Sequence, residues 1–291
     1  MFQDIKNYTP IEHVTIKNGV HVDIKRLDQI HPYISGNKFY KLKYNLIEAK
    51  QQGYSQILTF GGAYSNHIAA TAYAAKYYNF KSIGIIRGEE LANQPLNHTL
   101  SFAHDACQMQ LSFVSRSEYK MRDQYNYLEQ LKAQYPNIYI IPEGGTNAFA
   151  IEGCKEILKP SETSQYDIIC CAVGTGGTLL GLIQSTPPSC KILGFSALKG
   201  DFLAKDLKKL TTKTHWHITD EYCFGGYAKT SPELISFIKW FETAYGMPLE
   251  PIYTGKMCYG IFDLINQSIF PQGTKILLIH TGGLQGKSSL M

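Results

Sequence analysis

Lys38 is placed for covalent chemistry. It follows Ser35-Gly36-Asn37 and opens a run in which Phe39, Leu42, Leu46 and Ile47 recur at helical spacing as far as Gly53. Gly36 and Asn37 readily take turn or left-handed backbone, so the chain can reverse just before the lysine. Beside a helix N-terminus the dipole disfavours an ammonium group, and a pocket lowers its pKa further; an amine of that kind forms Schiff bases. Residue type alone also fits a solvated surface lysine, so the rest of the chain must supply the context.

Two other stretches carry chemistry. Gly174-Thr175-Gly176-Gly177-Thr178 sits between an apolar strand-like run, 167–173, and a helical run from Leu179. Glycines there permit close backbone approach, successive N–H groups make an anion cradle, and the helix dipole adds to it, so a phosphate site is inferred. The stretch lacks the Gly-Lys-Ser/Thr of a nucleotide P-loop and does not meet the dinucleotide-binding pattern. The second stretch is Gly61-Gly62-Ala63-Tyr64-Ser65-Asn66-His67, again between a strand (56–60) and a helix (68–78), which presents the Ser65 and Asn66 side chains at a strand end. Tyr227 and Tyr253 lie in glycine-flanked loops at element ends, which distinguishes them from the other tyrosines of a chain that has 20.

The elements that must position these residues alternate. Strands are expected at 21–26, 56–60, 82–86, 110–114, 138–141, 167–173, 191–195, 215–219 and 275–281. Helices are expected at 38–53, 68–78, 96–106, 118–134, 150–158, from Ser231, and at 257–265. Helices between consecutive strands imply parallel pairing with right-handed crossovers, hence an α/β chain of two-lobed, three-layer parallel sheets. The lobe boundaries are expected near 48 and 147, with 1–47 and 148–291 forming the large domain and 48–147 the small one.

At 291 residues, 44% hydrophobic and 18% charged, the composition is that of a globular α/β enzyme. A net charge of +4 is too small and dispersed to imply nucleic acid, and the basic run Lys205–Lys213 reads as a solvated helix end. No signal-peptide core or membrane-length apolar run is present, so a cytoplasmic protein is expected. Seven cysteines without a Cys-x-x-Cys pair argue against a disulfide framework, and His215 with His217 lacks a third ligand at standard spacing, so no metal is expected.

Taken in order, Ser35-Gly36-Asn37-Lys38-Phe39-Tyr40-Lys41, Gly62-Ala63-Tyr64-Ser65-Asn66-His67, Gly174-Thr175-Gly176-Gly177-Thr178, Pro251-Ile252-Tyr253-Thr254-Gly255-Lys256 and His280-Thr281-Gly282-Gly283 resemble the D-cysteine desulfhydrase and 1-aminocyclopropane-1-carboxylate (ACC) deaminase family. The resemblance spans nearly the whole chain. It implies the tryptophan synthase β-like fold (fold type II), pyridoxal 5′-phosphate (PLP) as cofactor, a small amino acid as substrate and a homodimer. It makes Lys38 the Schiff-base residue and Asn66 a partner of the ring's 3′ oxygen. Lys41 and Gly174, Thr175, Gly176, Gly177 and Thr178 become the phosphate holders, and Thr254 is placed at the pyridine nitrogen, with Thr281 counted in the cofactor set. Ser65 would face the substrate, and Tyr227 and Tyr253 would flank its reacting side chain.

Two positions separate the branches. The ACC deaminase branch typically has glutamate where this chain has Thr254 and leucine where it has Thr281, so the resemblance favours D-cysteine desulfhydrase: α,β-elimination of D-cysteine to pyruvate, ammonia and hydrogen sulfide. His67 resembles the desulfhydrase version too, with a histidine packing a helix start as the alternative. ACC ring opening to 2-oxobutanoate and a non-catalytic phosphate-ligand or PLP-binding protein are the competing readings.

Overall fold

A computed structural model describes residues 1–14 and 18–289. In chain order its strands are β1 (Ile11–Val14), β2 (His21–Arg26), β3 (Gln56–Gly61), β4 (Lys81–Arg87), β5 (Gln110–Val114), β6 (Ile138–Ile141), β7 (Ile168–Val173), β8 (Lys191–Ser196), β9 (Trp216–Thr219) and β10 (Lys275–His280). The chain forms two compact units. The first comprises Met1–Ile5, His31–Ile34 and Lys38–Gly153; the second comprises Lys6–Ile30, Ser35–Asn37 and Cys154–Met291.

The first unit is built on a four-stranded parallel sheet in the order β5-β4-β3-β6. Leu58, Phe60, Ile83 and Ile85 pack with Tyr119, Tyr127 and Leu131 in one apolar cluster. Ile68, Ala72, Ile86, Leu100 and Met109 pack in another. The helix Asn66–Tyr77 is alanine-rich, and its small residues let it lie close over β3 and β4. The strand order reverses between β3 and β6, so the C-terminal ends of these two strands flank a topological switch point, the usual ligand crevice of an open α/β sheet.

The second unit carries a six-stranded sheet in the order β1-β2-β10-β7-β8-β9, parallel except for the antiparallel pair β1 and β2. Its switch point lies between β7 and β10. The helices Pro232–Tyr245 and Thr254–Asn266 bury Leu234, Ile238, Phe241, Met257 and Ile261 in a cluster that also contains Val22, Ile24, Cys170 and Leu278. Ser231 caps the first of these helices, accepting from Leu234 N at 3.2 Å, with Pro232 at its first position as the sequence predicts.

Several elements differ from expectation. β1 has only four residues and one half-exposed face, too short for alternation to reveal it. The helix expected over 118–134 is two, Arg116–Tyr119 and Tyr125–Gln134, and the one expected over 96–106 is a short α-turn, His98–Ser101, running into a π-helix, Phe102–Ala106. The last long helix starts at Thr254 rather than Met257, so Thr254 is a helical residue.

Candidate active site

At the switch point of the second unit, β7 runs into Gly174–Thr178 and β10 into Thr281–Gly283. Gly176, at φ +83, caps the helix Gly177–Ser185 in the left-handed conformation that favours glycine. A Cβ on Gly174 would lie 3.0 Å from the Tyr253 ring, so the bare backbone there is a packing requirement. Thr175 is exposed and Thr178 buried. Asn37, the residue before Lys38, donates its side-chain amide to Thr178 Oγ1 at 2.8 Å and its backbone N–H to Thr281 O at 3.1 Å. Gly36 lies against the same carbonyl: a Cβ there would be 1.8 Å from Thr281 O. The turn that precedes Lys38 is thus fastened to the ends of both strands at the switch point.

Tyr253 packs edge-on to Tyr227, with ring centroids 6.2 Å apart; Tyr227 is 44% exposed. The two tyrosines are held by buried groups of opposite charge. The carboxylate of Glu250, fully buried, accepts from Ile252 N (2.7 Å), Tyr253 N (2.9 Å), Thr254 N (2.6 Å) and Thr254 Oγ1 (3.1 Å). Burial pushes its pKa up, while these donors pull it down. Thr254 is itself fully buried; its hydroxyl donates to that carboxylate and accepts from Glu250 N at 3.2 Å. Lys256, 1% exposed, donates to Cys223 O (2.7 Å) and Gly226 O (2.8 Å), clamping the turn that carries Tyr227. Burial lowers its pKa. Glu250 and Lys256 were not among the site residues read from the sequence; the available signal was an acidic residue just ahead of a helix start.

In the first unit Lys38 is half-buried, on the first turn of the helix Asn37–Gln51. Lys41, one turn on, is buried and donates Nζ to Gly144 O (2.8 Å) and Thr146 Oγ1 (3.0 Å), on the loop after β6. Across the switch point, Ser65 caps the helix Asn66–Tyr77, its oxygen accepting from Ile68 N at 3.2 Å while its proton remains available to donate. Asn66 Oδ1 is buried with no hydrogen-bond partner. His67, 2% exposed, places Nε2 2.8 Å from Thr59 Oγ1. Thr59 gives its only hydroxyl proton to Ile141 O at 2.8 Å, so His67 must donate through Nε2. Burial, with Lys38 and Lys41 nearby, drives the His67 pKa well down, and the ring is neutral.

Comparison with known proteins decides the family. The model of the family "Pyridoxal-phosphate dependent enzyme" matches residues 4–282. The chain belongs to that family. This PLP-dependent enzyme is 30% identical to the bifunctional D-cysteine desulfhydrase/ACC deaminase of Arabidopsis thaliana, over 93% of this chain and 74% of the relative. It is 31% identical, over 96% and 90%, to a Pyrococcus abyssi protein named provisionally as an ACC deaminase. Its structure superposes on that of an ACC deaminase homologue with a TM-score of 0.82 at 28% identity, covering 97% and 94% of the two chains. An O-acetylserine-dependent cystathionine β-synthase from Helicobacter pylori, 15% identical over 98% and 96%, shares the fold at a TM-score of 0.69. The fold is that of the tryptophan synthase β-like, type II PLP enzymes.

The residues present fit the cofactor. The buried, unpartnered Oδ1 position of Asn66 offers an acceptor, or a donor if the amide is turned. The Gly174–Thr178 turn provides backbone N–H groups at a helix start, with its glycine surface closed by Tyr253.

Proposed function

We propose that the enzyme catalyses α,β-elimination from a small β-substituted amino acid, D-cysteine foremost, releasing hydrogen sulfide and 2-aminoacrylate, which takes up one water to give pyruvate and ammonia. PLP, when bound, supplies an electron sink for the carbon that bears the substrate's amino group. In this reading Gly174, Thr175, Gly176, Gly177 and Thr178 would hold its phosphate together with Lys41, Asn66 would meet its 3′ oxygen, Thr254 would stand at the ring nitrogen, and Thr281 would belong to the cofactor-binding set. Lys38 would carry the cofactor, and its freed amine would be the base that takes the Cα proton while hydrosulfide leaves Cβ. Ser65 orients the substrate through its free hydroxyl proton, and Tyr227 and Tyr253 flank the departing sulfur.

The observation that carries the choice of substrate is the pair Thr254 and Thr281. Neither is a carboxylate, and the Thr254 hydroxyl is already committed to Glu250. With a hydroxyl rather than a carboxylate set directly at the ring nitrogen, a good leaving group such as hydrosulfide can still be expelled, whereas an unactivated cyclopropane opens far more slowly. ACC deamination is the second reading, favoured by the names that relatives carry.

Pyruvate release from D-cysteine, L-cysteine and D-serine, set beside 2-oxobutanoate release from ACC, tests the choice. D-cysteine turnover exceeding ACC turnover in kcat/KM supports the proposal, and strong ACC activity with none on either cysteine overturns it. Borohydride reduction followed by peptide mass analysis should place a pyridoxyl group on Lys38 in either case. The assembly proposed is a homodimer, which light scattering at micromolar concentration checks.

A further inference from the structure

The first unit contains a basic cavity that the reading above leaves unused. It has a volume of about 250 Å³ and is lined by Arg87, Arg116, Tyr119, Lys120, Arg122 and Glu143. Its cations come from the C-terminal end of β4 and from the segment after β5, on the same sheet edge as the loop that follows β3. Tyr119, 2% exposed, forms the floor and donates its hydroxyl to Glu143 Oε1 at 2.7 Å. Two guanidinium groups stand over its ring, Arg87 at 5.8 Å and Arg122 at 5.1 Å from the centroid. Both lie within cation–π reach of that ring.

Charge counting shows what is left over. Arg116 is paired with Glu90 at 2.8 Å. Arg122 Nε stands 2.8 Å from Glu143 Oε2, without the alignment of a hydrogen bond, and Arg122 also lies 3.7 Å from Asp123. Among the described residues no carboxylate lies within ion-pair reach of Arg87 or Lys120. Two cations therefore face a cavity whose one lining acid, Glu143, is already engaged. Arg87 also borders the loop proposed to face the substrate: a Cβ built on Gly62 would lie 3.6 Å from Arg87 Nη2, and Gly62 O accepts from Ser65 N at 3.0 Å.

We infer that this cavity is an oxyanion site, taking a carboxylate or phosphate group through Arg87 and Lys120. A planar guanidinium fork matches the paired oxygens of either group, and Lys120 adds a point charge. Two sources supply this chemistry: a free anion, or an acidic group on the side chain of the amino-acid substrate. The second source rests on the proposed role of the 62–66 loop.

Calorimetric titration of the PLP-loaded enzyme with inorganic phosphate tests the cavity itself, because the cofactor already fills its own phosphate cradle. One phosphate should bind per chain, and Arg87→Gln and Lys120→Gln should each raise its dissociation constant about tenfold or more. Absence of binding, or equal binding in wild type and both variants, overturns the inference. Both side chains are exposed, and a thermal melt of each variant verifies that it folds. The source is then read from elimination of O-phospho-D-serine against β-chloro-D-alanine. A fall of about tenfold in the ratio of their kcat/KM values in Arg87→Gln assigns the site to the substrate. A constant ratio together with lost phosphate binding assigns it to a free anion. If neither amino acid is consumed, the elimination reading fails, and the phosphate titration still decides the cavity.

Discussion

The Asn37 carboxamide donates to Thr178 Oγ1 at 2.8 Å while the Asn37 backbone N–H reaches Thr281 O at 3.1 Å. The residue next to the Schiff-base candidate is thereby locked to the last threonine of the glycine turn. Replacing Asn37 by Ala removes the side-chain bond and leaves the buried Thr178 hydroxyl only the weak Cys154 Sγ donor at 4.0 Å, a loss of about 1–2 kcal/mol. The expected outcome is PLP binding weakened about tenfold, with Lys38 still modified on reduction. Absorbance titration of apo-protein with PLP measures it.

Gly36 combines φ +66 with backbone contact on the side where a Cβ would stand. Gly36→Ala should therefore cost about 3 kcal/mol or more and lower the soluble yield. Gly53, also left-handed at φ +76, has nothing within 4 Å of the position a Cβ would take, so Gly53→Ala carries only the backbone strain, about 1 kcal/mol. Melting temperatures of the two variants should separate clearly, the second staying near wild type.

Lys256 should matter to both stability and substrate binding. Lys256→Met keeps the apolar stem but removes the ammonium that bridges the Cys223 and Gly226 carbonyls, leaving them only the backbone bonds from Gly226 N and Lys229 N. The expected loss is about 2–4 kcal/mol in urea unfolding. With the Tyr227 turn released, KM for the amino acid should also rise severalfold, and steady-state kinetics on the folded variant would show it.

Acid should weaken the fold through histidines held neutral. His67 has its pKa depressed well below 6.5, and His280, 1% exposed, is also depressed by burial. Below pH 6.5 the unfolded chain takes up protons that these rings refuse, so stability is fully present above that pH and falls as the pH drops. The slope contributed by each ring approaches about 1.4 kcal/mol per pH unit. Urea midpoints between pH 7.5 and 5 should show it, and His67→Gln should flatten the curve, though it starts from a lower stability.

The long periodic elements were legible in the sequence because burial on one face imposes a repeat. The helix beginning at Asn37 and the strands at 56–61, 168–173 and 275–280 all fall within a residue or two of their expected bounds. β1 was not legible, since four residues cannot display a period. The break between Arg116–Tyr119 and Tyr125–Gln134 was hidden because Met121 and Tyr125 continue an apolar pattern through residues that are exposed in the fold. The glycine turns announced themselves by composition. Glu250 did not, because a carboxylate satisfied by backbone N–H groups has the same sequence signature as a solvated one. Arg87 was missed for a related reason: the role proposed for it depends on Tyr119 and Gly62, which the parallel register of β3, β4 and β5 brings near it.

The pairing of β2 with β10 sets an order of events during synthesis. His21 to Arg26 align with Lys275 to His280, and β10 alone joins β2 to β7. While the ribosome is still making the middle of the chain, β2 has no parallel neighbour, and β7, β8 and β9 can associate only among themselves. By contrast, all four strands of the other sheet have been synthesised once Ile141 emerges. The smaller sheet can therefore form on the nascent chain, whereas the larger one waits for its penultimate segment, a closure over some 250 residues that should be the slow step of refolding. A ribosome stalled before residue 275 would hold a chain protected from protease between residues 56 and 141 and open to cleavage around β2.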